Sequence, residues 1–218
     1  MLDLARLLSR SAELHDSMVG VLGDDYSIYD DGTPRFDLAF DSCQVAWEHA
    51  TAVQLLIAHE LATPAIALIR LQYESTLRAA WLLYAASPDQ LAKLATPLDK
   101  DAEEAASKLP GAKQMLEAIG RASAEGRAPV SAHAMLAAIR ETNWDTLNSY
   151  VHGGIHPIQR AASGYPDAMI DQVVRMSNGV FTISGVLMAI LSGQQERIAK
   201  VSAIQRDFAD CLPPLLRN

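Results

Sequence analysis

The chain has 218 residues, half of them hydrophobic, so one domain with a sizeable core is expected. Eighteen basic and 26 acidic residues give a formal net charge of −8, which argues against general affinity for phosphate backbones, because such affinity needs a basic face. Two cysteines, Cys43 and Cys211, exclude a disulfide-dense secreted fold and a cysteine-rich zinc module.

Helical periodicity recurs along the chain, and no segment shows the sustained apolar–polar alternation of a half-buried strand. Loops are predicted at residues 23–37 and 155–166, and Thr142 or Asn143 is expected to cap a separate helix. In chain order, helices are predicted over residues 2–22, 41–61, 65–86, 88–109, 113–124, 132–140, 143–152, 167–191 and 194–211. No flexible linker interrupts them, so residues 1–218 are expected to form an all-α, single-domain bundle of long antiparallel helices with short decorating helices.

Two helices are the candidates for the core of the bundle. The third, residues 65–86, is apolar almost all round, and the helix at 167–191 carries Gly179, Ser184 and Gly185, which permit close helix contact. Residues 176–193 carry no charge but several polar groups, which favours a buried central helix over a membrane span. With no signal segment visible, a soluble bacterial-type cytoplasmic protein is expected.

Searches for metal and cofactor motifs fail. His59-Glu60 begins like a zinc-protease helix, but Thr63 stands where the second histidine belongs. His152 and His156 are four residues apart, but Gly153-Gly154 between them favours a capping histidine and a loop histidine over joint metal ligation. No metal and no cofactor is therefore predicted.

One further histidine lies on an apolar helix face. His49 shares a face of the second helix with Val53, Leu56 and Glu60. A histidine satisfied by a neighbouring hydrogen bond is the expected outcome in such a position.

One polar constellation stands out. Arg70, Glu74 and Arg78 follow each other at i, i+4 steps, and Arg70 and Glu74 border the apolar stripe of the third helix. Burying such charges costs several kcal/mol unless they are paired, so Glu74 is expected to pair with one or both arginines. Downstream, Tyr150 and His152 stand at a helix end before two glycines, where the loop can bring His152 against another helix.

These groups suggest two opposed roles. Arg70, Glu74, Tyr150 and His152 could perform acid–base chemistry, with Arg78 and His156 contributing to the binding of a phosphate or carboxylate. The alternative is a buried polar network that fixes the register of the helices.

A family resemblance rests on two short segments. They are the Arg-x-x-x-Glu helix Arg70-Leu-Gln-Tyr-Glu74-Ser-Thr-Leu-Arg78 and the downstream Ser149-Tyr150-Val151-His152-Gly153. Together they resemble a group of uncharacterised bacterial helical proteins that is similar in outline to the HEPN superfamily of helical ribonucleases and RNA-binding proteins. The resemblance implies a helical bundle with a polar centre, and RNA interaction in defence or stress response.

The chain departs from the HEPN pattern at one position. HEPN nucleases carry an arginine four to six residues before the histidine, where this chain has Asp145, Thr146 and Leu147. An arginine that serves His152 would therefore come from Arg70 or Arg78 on another helix.

Three functions remain open at this point. They are RNA or anionic-ligand interaction at the polar centre, a non-catalytic structural or assembly role, and hydrolysis at an unrecognised site, so whether the chain is an enzyme stays undecided. The high apolar fraction and the small residues of the late helix also suggest a homodimer.

Overall fold

The structure, a computed structural model, describes residues 3–23, 25–97 and 99–214. The prediction of an all-α bundle is confirmed, and the described residues contain no strand. A short 3₁₀ turn, Ala209–Cys211, follows the last α-helix. The ten α-helices are α1 (Leu4–Leu22), α2 (Arg35–Ala58), α3 (Ala62–Tyr84), α4 (Pro88–Ala95), α5 (Lys100–Ser107), α6 (Ala112–Ala124), α7 (Val130–Val151), α8 (Ile155–Ser163), α9 (Asp167–Leu191) and α10 (Gln195–Asp207).

Two predictions in the second half of the chain are wrong: the helix start at Thr142 or Asn143, and the loop at 155–166. Thr142 and Asn143 do not cap a new helix, since their side chains donate to the carbonyls of residues 138 and 139 inside a continuous α7. The predicted loop at 155–166 is largely α8, whose start is supported by the Ser149 hydroxyl accepting from the His156 amide. Gly153, with φ of +63°, lies in the short turn between α7 and α8, in a backbone conformation that favours glycine.

Smaller boundary shifts occur near the start of the chain and after α3. Helix α2 begins at Arg35, inside the predicted loop, and the helix predicted over 88–109 is two short helices, α4 and α5. Residues 2 and 98, which belong to predicted helices, lie outside the described residues.

Helices α3 and α9 form the centre of the bundle, as their apolar sequences indicate. Helix α3 contacts α2, α6, α7 and α9. A buried polar link joins the two: the Gln72 amide donates to the Ser177 carbonyl at 2.9 Å and accepts from the Ser177 hydroxyl at 2.8 Å. Because both buried groups are satisfied, the link fixes the register of α3 against α9 at little cost.

The small residues of α9 permit close approach, as predicted. A Cβ atom at Gly179 would lie 2.8 Å from Pro213, and one at Gly185 would lie 3.2 Å from Met18. The Ser184 hydroxyl accepts from the indole N–H of Trp47 at 3.0 Å. Helix α9 is long and apolar enough to span a membrane, but 72% of its most apolar stretch is buried inside the bundle, which is typical of a core helix.

Helix α3 packs antiparallel to both α2 and α7, and these two contacts determine the surroundings of its polar residues. A tight turn at residues 59–61 joins α2 to α3, and these two helices form the most extensive contact in the molecule. On another side, α7 runs antiparallel to α3, since Arg70 meets Asn148 while Tyr73 reaches Leu136. The polar face of α3 therefore lies between α2 and α7.

Candidate functional site

Arg70 is held from several directions at the contact between α3 and α7. Its Nη2 donates to Glu74 Oε1 at 3.1 Å, its Nη1 donates to Asn148 Oδ1, and the same Nη1 lies 3.4 Å from His152 Nε2. The Arg70 side chain is 14% exposed and that of Glu74 is 32% exposed. The structure thus brings Arg70, Glu74 and His152 together, and the expected pairing of Glu74 with an arginine is present.

Trp144 of α7 provides the surface on which Arg70 rests. The Arg70 guanidinium carbon lies 4.4 Å from the centre of the indole ring, and that of Arg140 lies 4.7 Å from the same ring. Tyr73 contacts the indole edge to face, with ring centres 6.3 Å apart. Such cation–π and aromatic contacts add to the hydrogen bonds that fix Arg70.

Tyr150 and His156 form a separate group at the end of α7. Their rings stack with centres 6.3 Å apart, and neither side chain hydrogen-bonds to the Arg70 group among the described residues. Burial, together with the neighbouring Tyr165, raises the pKa of Tyr150 to about 12, so the phenol is neutral near pH 7. The Tyr165 hydroxyl itself hydrogen-bonds to Thr63 Oγ1 at 2.6 Å.

Arg78 lies two turns further along the same polar face of α3, at its edge toward α2, in a groove between α2 and α3. The groove has a volume of about 350 Å³, within the range of small-molecule sites. Arg78 is half-buried and makes no hydrogen bond or ion pair with any residue that the structure describes. Burial lowers the pKa of its guanidinium, while nearby Glu74 partly opposes that shift. The groove is lined by Ser42, Val45, His49, Leu71, Glu74, Ser75 and Arg78.

The groove follows the two helix axes. Since α2 and α3 run antiparallel from residues 59–61, Arg78 lies at the level of Ser42, and Leu71 lies at the level of His49. At 1.5 Å per residue these two levels are about 10 Å apart. Burial lowers the pKa of His49, with Glu48 opposing the shift, so the His49 ring is neutral at pH 7.

The sequence identified the arginines and His152 but missed three of their neighbours. Asn148 is four residues before His152, and this helical spacing could have placed both on the face that meets Arg70. His49 was expected to be satisfied by a neighbour, yet it lines the groove with Ser42 and Val45, which precede it at i−7 and i−4. Trp144 carried no sequence signal, because its role depends on an arginine of α3.

Metal ligation finds no support in the described part of the chain. Residues 3–23, 25–97 and 99–214 contain no group of three or more histidine, cysteine or acidic side chains that could hold a metal ion. Both cysteines are buried, and burial raises the pKa of the Cys211 thiol to about 11. A buried thiol with a raised pKa is a poor nucleophile.

Comparisons with known proteins give one match. Residues 43–214 match the family described as "Family of unknown function (DUF6988)". The matched segment includes α3, α7 and most of α2, and therefore both Arg70 at the α3–α7 contact and Arg78 in the α2–α3 groove. No curated protein and no solved structure matches the chain, so the resemblance to HEPN proteins stays a prediction.

Proposed function

The chain belongs to the DUF6988 family, and for this member of it we propose that the α2–α3 groove binds a small anionic ligand through Arg78. The observation that carries the proposal is the half-buried Arg78 guanidinium, which faces a groove and has no acidic partner among the described residues. A desolvated guanidinium is costly without a partner, and carboxylate and phosphate are the groups that match its planar donors.

The charges around the groove support an anion rather than a cation. Glu74 is the acidic residue of the lining, but Arg70 already neutralises it through the 3.1 Å contact. His49 is neutral at pH 7 and becomes positive on acidification. The charge left for a ligand is therefore that of Arg78, whose partial burial makes a contact with an anion stronger than the same contact in bulk water.

The Arg70 group has a supporting role in this proposal. Both terminal nitrogens of Arg70 are occupied by Glu74, Asn148 and His152. By drawing the Glu74 carboxylate toward α7, Arg70 reduces its competition for Arg78. Arg70 and Glu74 thus position the anion site without supplying its main contact.

The experiment that tests the proposal is an NMR titration of ¹⁵N-labelled protein with inorganic phosphate and with acetate. We expect the Arg78 side-chain Nε–H signal and the backbone amides of residues 42–49 and 71–78 to shift with a saturable dependence. Arg78→Gln should weaken binding at least about tenfold, as expected for the loss of a charged contact.

The matched control is Arg121→Gln, because Arg121 is an exposed arginine of α6 away from the groove. This variant should bind as the wild type does. Unchanged binding in Arg78→Gln, or equal losses in both variants, would show that the anion binds through general charge and would refute the groove site.

A second candidate function rests on the Arg70–His152 contact. The 3.4 Å distance supports an arginine supplied to His152 from another helix, in place of the missing HEPN arginine. Against RNA binding stand the net charge of −8 and the engagement of both terminal nitrogens of Arg70.

The test of this second candidate is a cleavage and gel-shift assay on mixed RNA. The variant is His152→Ala, and the matched control is His59→Ala, since His59 is also an exposed histidine at a helix end. Loss of cleavage or binding in the first variant alone would support the HEPN-like function. No RNA interaction in the wild-type protein would remove it and leave anion binding as the single proposal.

A further inference from the structure

The walls of the α2–α3 groove carry two apolar side chains that remain open to solvent. Val45 of α2 is 44% exposed and Leu71 of α3 is 38% exposed, and both line the same groove as Arg78. A large apolar side chain left exposed next to an unpaired cation forms a surface with one charged and one apolar part. A ligand that matches such a surface covers both parts at once.

The two serine hydroxyls of the groove already donate hydrogen bonds within their own helices. The Ser42 and Ser75 hydroxyls donate to the carbonyls of Leu38 and Leu71 in their own helices, both at 2.9 Å. Arg78 is the one cationic side chain among the lining residues that the structure describes, and a single guanidinium matches a single carboxylate or phosphate. The described lining therefore supplies one cation and no free serine hydroxyl donor, and it suits a ligand with a single anionic group.

The order of the side chains along the groove sets the orientation of this ligand. Arg78 and Ser42 lie at one end, Val45 lies between, and Leu71 and neutral His49 lie at the other end about 10 Å away. An anionic group at Arg78 leaves a chain to run over Val45 toward Leu71. Burying both apolar side chains under that chain removes their area from water, which favours binding.

We propose that the ligand class of this groove is an amphiphilic monoanion, an aliphatic or aromatic carboxylate whose apolar body lies over Val45 and Leu71. This inference rests on the proposed function, because the carboxylate is held by Arg78. Beyond anion binding, it predicts that affinity grows with the length of the apolar body. Each buried methylene contributes about fourfold in affinity.

The experiment compares acetate, butanoate, hexanoate and hexan-1-ol as probes, with dissociation constants measured by NMR titration of the full chain. We expect hexanoate to bind about 15-fold more tightly than butanoate, from two added methylenes. Hexan-1-ol, which lacks the charge, should bind at least about tenfold more weakly than hexanoate.

Two variants separate this inference from the proposed function. Leu71→Ser should reduce the ratio of hexanoate affinity to butanoate affinity by at least about threefold, and each affinity is compared with that of acetate for the same variant. Arg78→Gln should weaken all the carboxylates together. Leu71 is partly exposed, so its replacement leaves the core intact, and a circular dichroism melt checks this.

Three results would overturn the inference. Acetate and phosphate binding that depends on Arg78 without any dependence on chain length would keep the anion site and reject the amphiphilic ligand. Chain-length dependence that survives in Leu71→Ser would place the apolar body elsewhere. A dimer in light scattering that Leu71→Ser dissociates, with no carboxylate bound at the groove, would assign this apolar surface to a second copy of the chain.

Discussion

Arg70 and Arg78 stand two helical turns apart on α3, and they differ in the helix that each faces and in their hydrogen-bond partners. On the α7 side, Arg70 is 14% exposed, donates to Glu74 and Asn148 and rests on Trp144. On the α2 side, Arg78 faces a groove of about 350 Å³ and has no hydrogen-bond partner among the described residues. Two identical side chains on one helix thus differ in their partners: both terminal nitrogens of Arg70 are bonded, although its Nε is buried without a partner, and Arg78 has no partner among the described residues.

The difference shows how to separate structural from functional charges. A buried charge whose terminal donors are bonded to neighbouring helices links those helices, and little of it is left for a ligand. A half-buried charge with free donors costs stability in the absence of a ligand and recovers that cost on binding. The four predictions that follow test this distinction.

The largest loss of stability is expected at Arg70, on the side of α3 that faces α7. Arg70→Met should destabilise the protein by about 3 kcal/mol, because it leaves Glu74 and Asn148 without their partner. Glu74→Gln should cost about 1–2 kcal/mol, and the double variant should cost less than the sum. The measurement is urea unfolding of the two single variants and the double variant at one pH. Small, additive losses would mean that the Arg70–Glu74 pair is surface charge.

His15 extends the comparison to a partly buried group that packs against the core and has a hydrogen-bond partner. Its ring stacks on Phe181 with centres 3.7 Å apart and hydrogen-bonds to Gln54 at 2.8 Å. Burial lowers the pKa of His15 to about 4 from 6.5. The folded state therefore binds this proton less readily than the unfolded chain, and stability falls as the pH drops from 6.5 to 4.

The expected loss from this one histidine is about 3 kcal/mol. Urea unfolding measured from pH 7.5 to 4 gives the slope, and carboxylates contribute in the acid part of that range. His15→Phe keeps the stacking and removes the titrating group, so its profile should be flatter than that of the wild type. Identical slopes in the two proteins would show that His15 is free to bind protons when folded.

Arg78 should contribute little to stability. Arg78→Met should change the free energy of unfolding by less than about 1 kcal/mol, and could raise it, because the variant removes a desolvated charge without a partner. Thermal melts in phosphate-free, carboxylate-free buffer measure this. A loss as large as that of Arg70→Met would contradict the distinction between the two sides of α3.

The smallest effect is expected at His152. His152 is exposed at the end of α7, and its contact with Arg70 is long, at 3.4 Å, so His152→Ala should cost less than about 0.5 kcal/mol. The same thermal melts serve as the readout. Unfolding of this variant at room temperature would identify His152 as a structural support of the α3–α7 contact.

Fold prediction succeeded where the helical repeat of apolar residues extends over a long segment. It failed where polar residues determine where a helix begins or ends. Helices α1, α3, α6 and α9 were predicted to within about three residues at each end, since each buries a continuous stripe. Helix α7 was predicted as two helices, because threonine and asparagine suit both a cap and a mid-helix bond to i−4. Helix α8 was predicted as a loop, because it follows two glycines and carries a proline in its first turn.

Site prediction shows the same limit. The Arg70–Glu74 pair is local, since i, i+4 residues on a helix are neighbours whatever surrounds them. The arrival of His152 at Arg70 was anticipated from the glycines that follow it, but its partner Asn148 was not. Nothing in the spacing of Arg70 and Arg78 says which one meets α7 and which one meets a groove.

The sequence by itself determined helices α1, α3, α6 and α9, the central position of α3 and α9, and the Arg70–Glu74 pair, because each follows from the 3.6-residue period of a single segment. Only the tertiary structure decided that the terminal nitrogens of Arg70 are bonded and that those of Arg78 have no partner among the described residues. That decision depends on which side chains α2 and α7 present to α3, and those helices approach α3 from parts of the chain that no local pattern connects to it.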